Sequence, residues 1–196
     1  MRVLEWVLVG CVAALLVACG DGTGGKKFFS TDVTGAPWGR GFELTDHTGT
    51  RRTLADFRGK VVMLFFGYTN CPDACPTAMA EMAATVAKLG PDGARVQGVF
   101  VTVDPKRDTP DVLAKYVPAF HPAFLGLRGD ETETAATAAE FKIFYAAQAP
   151  NASGYYTVDH SAGIFALDRE GRLRLYMSSG RTVESMVHDI KLLLDE

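Results

Sequence analysis

The stretch Phe65-Phe66-Gly67-Tyr68-Thr69-Asn70-Cys71-Pro72-Asp73-Ala74-Cys75-Pro76 constrains this chain more than any other part of it. Ahead of the cysteines, residues 61–66 form a short, unbroken run rich in β-branched and aromatic side chains, the pattern of a central strand covered on both faces. Behind them, Met79, Met82, Ala83, Val86 and Leu89 recur at helical spacing, and Gly90-Pro91 supplies a stop. The order is therefore strand, turn, helix. Proline is tolerated in the first helical turn, where its missing N–H costs nothing. Pro76 at the first helical position predicts Cys75 as the cap and leaves Cys71 in the turn. Both sulfurs then lie near the positive end of a helix, where the field favours thiolate, the form that attacks disulfides and binds metals.

The other two cysteines sit at the N-terminus. Arg2 and the amino group supply positive charge ahead of the apolar residues 6–18, a segment too short for a comfortable membrane span but suited to an export signal. Its end, Leu16-Val17-Ala18-Cys19, resembles a bacterial lipoprotein cleavage box, in which the cysteine becomes the lipid-modified first residue. Residues 1–18 are thus expected to be removed together with Cys11, and Cys19 to carry the lipid. Residues 19–36 are glycine-rich and polar, the composition of a flexible tether; about 15 such residues reach about 20 Å on average. That leaves residues 37–196 as the domain, with Cys71 and Cys75 alone in an oxidising compartment. At 196 residues and 47% hydrophobic content the chain can bury one full core. A net charge of −3 and a pI near 5.8 give no basic footprint for a nucleic acid.

Further along, residues 42–46 and 51–54 flank His47-Thr48-Gly49-Thr50 and read as a hairpin with His47 solvated at its tip. Residues 96–103 alternate and are β-rich, completing a strand–helix–strand unit whose two strands should be parallel. Thr109 and Pro110 mark the cap and first residue of a helix with Val112, Leu113, Tyr116 and Val117 inward. Asp104, Arg107 and Asp108 just before it suit strand-end and helix-start hydrogen bonds. Asp130 with Glu133 forms a capping box for a helix expected to reach about Tyr145, followed by a polar loop over residues 146–157. Residues 164–167 and 173–176 read as an antiparallel hairpin, and Val183, Met186, Val187, Ile190, Leu193 and Leu194 mark a closing amphipathic helix with His188 off the apolar stripe, facing solvent. This order is that of a thioredoxin-like α/β sandwich with an N-terminal hairpin and a mixed central sheet flanked by helices. Element order speaks to fold and not to function.

The residues leave four uses open for Cys71 and Cys75. A structural disulfide closing so small a loop gains little entropy. A thioredoxin-type exchanger has two residues between its cysteines and a cis-proline before the facing strand, whereas this chain has three residues and, at that strand, Val158-Asp159-His160-Ser161 with Pro150 as the nearest proline. A thiol peroxidase has only Thr69 in its favour. Metal binding gains from His160, which precedes the residue 164 strand and should approach the cysteine turn from that strand's end. Two thiolates and an imidazole are soft donors that select Cu(I), zinc or iron–sulfur, and three ligands fall one short of a closed zinc site. An open, sulfur-rich site suits copper that is handed on.

With these motifs in place, residues 42–195 resemble the Sco/SenC copper chaperones of cytochrome c oxidase assembly. The cysteine motif spans residues 67–76. The second motif is Val103-Asp104-Pro105-Lys106-Arg107-Asp108-Thr109-Pro110, with Lys106 where glutamate is common, and the third is Val158-Asp159-His160-Ser161. The resemblance implies that Cys71, Cys75 and His160 are ligands for copper, as Cu(I), Cu(II) or both. It implies a partner in cytochrome c oxidase subunit II, whose binuclear copper centre the family helps to metallate, alongside other copper carriers or thiol reductants. It implies also that Cys71 and Cys75 cycle between dithiol and disulfide, so the alternative activity is thiol-disulfide reduction of that subunit's cysteines. Asp73 and Asp159 match acidic positions beside the ligands and are candidates for orienting them, although neighbours in an extended chain point to opposite faces, which turns Asp159 away from the His160 ring. With the lipid signal, the expected place is the bacterial cell envelope, anchored to the cytoplasmic membrane with the domain facing the periplasm or exterior.

Overall fold

The structure is a computed structural model that describes residues 27–196, so the expected signal, Cys11 and the lipidated Cys19 lie outside the described residues. Its centre is the pair β4 (Val61–Gly67) and β5 (Val96–Thr102), parallel and in register from Val61 opposite Val96 to Gly67 opposite Thr102. Every residue of both strands is buried, which is why the sequence shows a continuous apolar run at β4; β5, read as alternating, is covered on both faces as well, Gln97 included. Helix α1 (Ala74–Lys88) is the crossover between them and packs on α4 (Val183–Leu194), whose apolar stripe is the one read from the sequence. On the far side of β4 runs β9 (Ile164–Leu167), antiparallel, followed by its hairpin partner β10 (Leu173–Met177). Beyond β5 come β6 (Leu125–Arg128) and the N-terminal hairpin β2 (Glu43–Asp46) and β3 (Arg51–Thr53). With β1 (Thr31–Asp32) on β10, the sheet is eight-stranded, in the order β1-β10-β9-β4-β5-β6-β2-β3.

The pleat divides the aromatic core. Phe66 meets Phe141 and Phe165 on one face, while Phe65 meets Phe100, itself against Tyr116 of α2 (Pro110–Tyr116), on the other. Each such buried ring contributes about 1.5–3 kcal/mol relative to exposure. Thr109 caps α2 by accepting from the Val112 N–H at 3.3 Å, as expected.

Several local expectations are corrected. Helix α1 begins one residue before Cys75, with Asp73 at the cap position and Pro76 third in the helix, still within the turn whose N–H groups lack intrahelical partners. The helix α3 (Glu131–Glu140) has its Asp130–Glu133 capping box but stops well short of Tyr145. Lys142 adopts φ of 57°, and the Lys142 and Ile143 amides turn back to the Ala139 and Ala138 carbonyls, a left-handed helix stop usually signalled by glycine. Released there, the chain forms β7 (Tyr145–Ala147), which pairs antiparallel with β8 (Val158–His160); the expected loop is the tip of this ribbon. His47 is pinned rather than solvated: its Nδ1 accepts from the Gly126 N–H at 3.1 Å. His188, by contrast, is exposed as expected, its ring tilted against Phe29 at a centroid distance of 4.6 Å.

Residues ahead of 37 are also tied to the sheet and to α4. Asp189, fully buried on α4, accepts the Phe29 and Ser30 amides on its two carboxylate oxygens, each at 2.8 Å, just ahead of β1. Replacing Asp189 with Ala strips the acceptor from both N–H groups, each worth about 1–3 kcal/mol when left unpaired. Urea unfolding of Asp189→Ala should show a loss of about 2–4 kcal/mol, and unchanged stability would mean that this segment is not docked in solution.

Candidate metal centre

The end of β4 delivers the chain at Gly67 into the cysteine turn. A Cβ at Gly67 would lie 2.8 Å from Cys75 Sγ and 2.8 Å from the Phe65 ring, so the absent side chain is what lets the sulfur sit against the strand end. Cys75 is fully buried and Cys71 half-buried, and both are free thiols. The Asp73 side chain makes no cap bond; the Cys71 sulfur takes that place, accepting from the Cys75 N–H at 3.5 Å, with the Asp73 and Ala74 amides also favouring its charged form. Partial burial works against ionisation of Cys71, but these N–H donors outweigh it and hold its pKa below the ordinary thiol value. Burial pushes Cys75 far above the thiol range, and the negative charge of Cys71 beside it adds to that. Two cysteines one helical turn apart are thereby made chemically unequal.

His160 arrives from the other side as the last residue of β8, 85 positions from Cys75, with its Nε2 at 3.3 Å from Cys75 Sγ. Its Nδ1 lies 2.9 Å from the Ser161 carbonyl, an oxygen that can only accept, so the proton belongs on Nδ1 and the Nε2 lone pair faces the sulfurs. The ring stands edge-on between Phe65 (6.1 Å) and Tyr68 (5.8 Å). Among the described residues, Cys71, Cys75 and His160 form the one group of metal-capable side chains, their ligand atoms all within 4.8 Å of one another. Ligand distances of about 2.0–2.3 Å place two donors of one ion no more than about 4.6 Å apart, so only a small contraction would close the three donors on a metal. Two sulfurs and one imidazole nitrogen suit a soft ion such as Cu(I).

The two acidic candidates stand outside this group. Asp159 is exposed and accepts from Gln148 Nε2 at 2.5 Å, pointing away from the ring as alternation requires. Asp73 is exposed too, and it is its backbone N–H, not its carboxylate, that reaches Cys71. Asp108, expected only to finish the strand or start the helix, also reaches the cysteine turn, which sequence spacing did not reveal. Fully buried, it accepts from Thr69 Oγ1 at 2.6 Å, Thr69 N at 3.1 Å and Thr102 Oγ1 at 2.5 Å, tying the cysteine turn to the end of β5 across 39 residues. Burial raises its pKa, with those donors opposing.

A thioredoxin-like sheet with a cysteine turn and a facing histidine defines a thiol-fold protein equipped to hold a metal. Residues 31–195 match the SCO1/SenC family model, and the chain belongs to that family. The structure of Bradyrhizobium japonicum ScoI with copper bound is 38% identical, with a TM-score of 0.73 over 80% of this chain and 99% of that one. The apo Sco1 protein from Thermus thermophilus is 39% identical, with a TM-score of 0.77 over 87% of this chain and 99% of that one. The mitochondrial SCO2 homolog of Mus musculus is 40% identical over 152 residues, 76% of this chain and 60% of that protein, so the chain spans about 60% of this curated relative's length.

The inequality of the thiols has a direct readout. With its pKa lowered, Cys71 ionises more readily than an ordinary thiol, while Cys75, raised by burial, ionises less readily. Peptide mass analysis after brief iodoacetamide treatment of the reduced protein near pH 7.5 should find alkylation at Cys71 well ahead of Cys75. Equal labelling would mean that the helix amides do not select one sulfur.

Proposed function

We propose that this domain carries one Cu(I) on Cys71 Sγ, Cys75 Sγ and His160 Nε2 and delivers it to the binuclear copper centre of cytochrome c oxidase subunit II. The observation that carries this reading is the convergence of three soft donors from two distant parts of the chain into one open group. A three-ligand site lets an incoming donor add before a resident one leaves, so copper passes between proteins by ligand exchange without being released to water. Cys71, half-buried at the rim, is the ligand an acceptor reaches first; Cys75, fully buried, is the last to let go. Family membership and copper in the similar ScoI structure support the metal and the oxidase pathway.

A competition titration of the reduced domain against a Cu(I) chelator tests it. One Cu(I) should bind per domain, with affinity rising as pH is raised because Cys75 must give up its proton. His160→Ala should lower the affinity more than 100-fold, beyond the tenfold to hundredfold range expected when only a residue that orients a ligand is lost. The variant should still form and exchange the Cys71–Cys75 disulfide. The inequality of the two thiols favours a second reading, reduction of a disulfide between subunit II cysteines: the Cys71 thiolate attacks one sulfur and expels the other as thiolate, and Cys75 resolves the mixed disulfide, leaving the Cys71–Cys75 disulfide and two thiols on subunit II. Unchanged copper affinity in His160→Ala would make that reading the better one.

The proposal includes attachment to the outer face of a bacterial cytoplasmic membrane through lipid on Cys19. Among the described residues no helix is long and apolar enough to cross a membrane. Intact mass of protein recovered from membranes should correspond to residues 19–196 plus acyl groups, and recovery of an unacylated chain would remove the anchor from the proposal.

A further inference from the structure

The second sequence motif, residues 103–110, supplies none of the three donors, yet it contacts both halves of the site. The ribbon β7–β8 that presents His160 pairs only with itself and is not part of the eight-stranded sheet, so beyond its direct run into β9 it is held by side chains rather than by sheet hydrogen bonds. Arg107 provides the connection. Its Nη1 donates to the Tyr156 carbonyl at 2.7 Å, and its guanidinium carbon lies 3.5 Å from the centre of the Tyr156 ring. Asp104, itself buried, takes Arg107 Nε on one carboxylate oxygen at 2.5 Å and the Tyr156 hydroxyl on the other at 2.9 Å. The guanidinium carbon also lies 5.5 Å from the centre of the Tyr68 ring, which stands edge-on to His160. A further tie between the ribbon tip and the cysteine turn is an exposed, neutral hydrogen bond from the Tyr155 hydroxyl to the Asn70 carbonyl at 3.2 Å. Charge-assisted bonds are about twice as strong as neutral ones, so the Asp104–Arg107 pair dominates.

We propose that Arg107, held by Asp104, is a positioning residue that clamps the β7–β8 ribbon and so sets the His160 imidazole over the two cysteines. The guanidinium plane is what the role needs: it stacks on Tyr156 and donates in two directions at once, which a lysine ammonium does not reproduce. The role as a determinant of copper affinity rests on the copper reading above; the clamp itself does not.

The test therefore has a metal-free and a metal-bound part. In metal-free Arg107→Gln, amide hydrogen exchange over residues 145–160 should quicken by about tenfold or more, while protection in β4 and β5 stays as in the wild type. Cu(I) affinity should fall by about tenfold to hundredfold, with Arg107→Lys recovering part of the loss. In a His160→Ala background, Arg107→Gln should lower the affinity no further, an outcome that general destabilisation would not give. Should Arg107→Gln leave Asp104 unpaired and the domain unfolded, the double variant Asp104→Asn with Arg107→Gln removes the buried charge and is held to the same outcomes. Unchanged exchange across residues 145–160 overturns the clamp, as does a copper affinity within twofold of wild type while His160→Ala is impaired. If His160→Ala leaves the affinity unchanged, the copper reading fails, and hydrogen exchange still decides whether Arg107 holds the ribbon.

Discussion

The start of α1 sets its amide N–H groups to favour an anion on the Cys71 sulfur, which lies in the turn after a strand buried along its whole length, and the character of the site depends on that arrangement. The first turn of any helix leaves N–H groups without partners, commonly met by a side-chain oxygen at the cap. Here the sulfur takes that place. Cys71 is thereby favoured as an anion at the half-exposed rim, whereas Cys75, carried inward by the helix into the space that Gly67 leaves, is held as a thiol. One end of the site is open to exchange and the other is closed. Both metal transfer and thiol exchange need such a difference between two neighbouring sulfurs.

The imidazole comes from another level of organisation. Because β9 runs antiparallel beside β4, the chain that leads into Ile164 comes in across the end of β4 where the cysteine turn begins. The loop after β5 then serves both halves of the site. Asp108 holds the sulfur half through Thr69, and Asp104 with Arg107 holds the imidazole half through Tyr156. These three residues are among those expected to finish a strand and start a helix. The Thr109 cap of α2 does start the helix, but the longer-range bonds of Asp108 and Arg107 reach the two separate segments that carry the ligands.

Much of the fold is legible in local spacing. The run at β4, the alternation at β5, the Thr109-Pro110 start of α2 and the apolar stripe of α4 all lie where periodicity and capping chemistry put them. Three features escape that reading, each for a physical reason. Helix α3 ends at a left-handed Lys142, a conformation that glycine usually announces. Helix α1 starts before Cys75 because a sulfur replaces the cap oxygen. β7 is three residues long and pairs only with β8, too short for any period to register.

By itself the sequence determined which atoms were available and in which segments: two thiols at the end of a buried strand, an imidazole ahead of a later one, and the family pattern that joins them. Only the tertiary structure decided how they meet. The 3.3 Å separation between Cys75 Sγ and His160 Nε2 spans 85 residues and follows from strand order, which has no local signature. The protonation of each cysteine follows from burial and from where amide N–H groups point. The choice of the Ser161 carbonyl rather than the Asp159 carboxylate to orient the imidazole follows from strand alternation, which turns Asp159 outward. Those quantities exist only once the chain is folded, because desolvation and hydrogen-bond direction belong to the surroundings of a group and not to its place in the sequence.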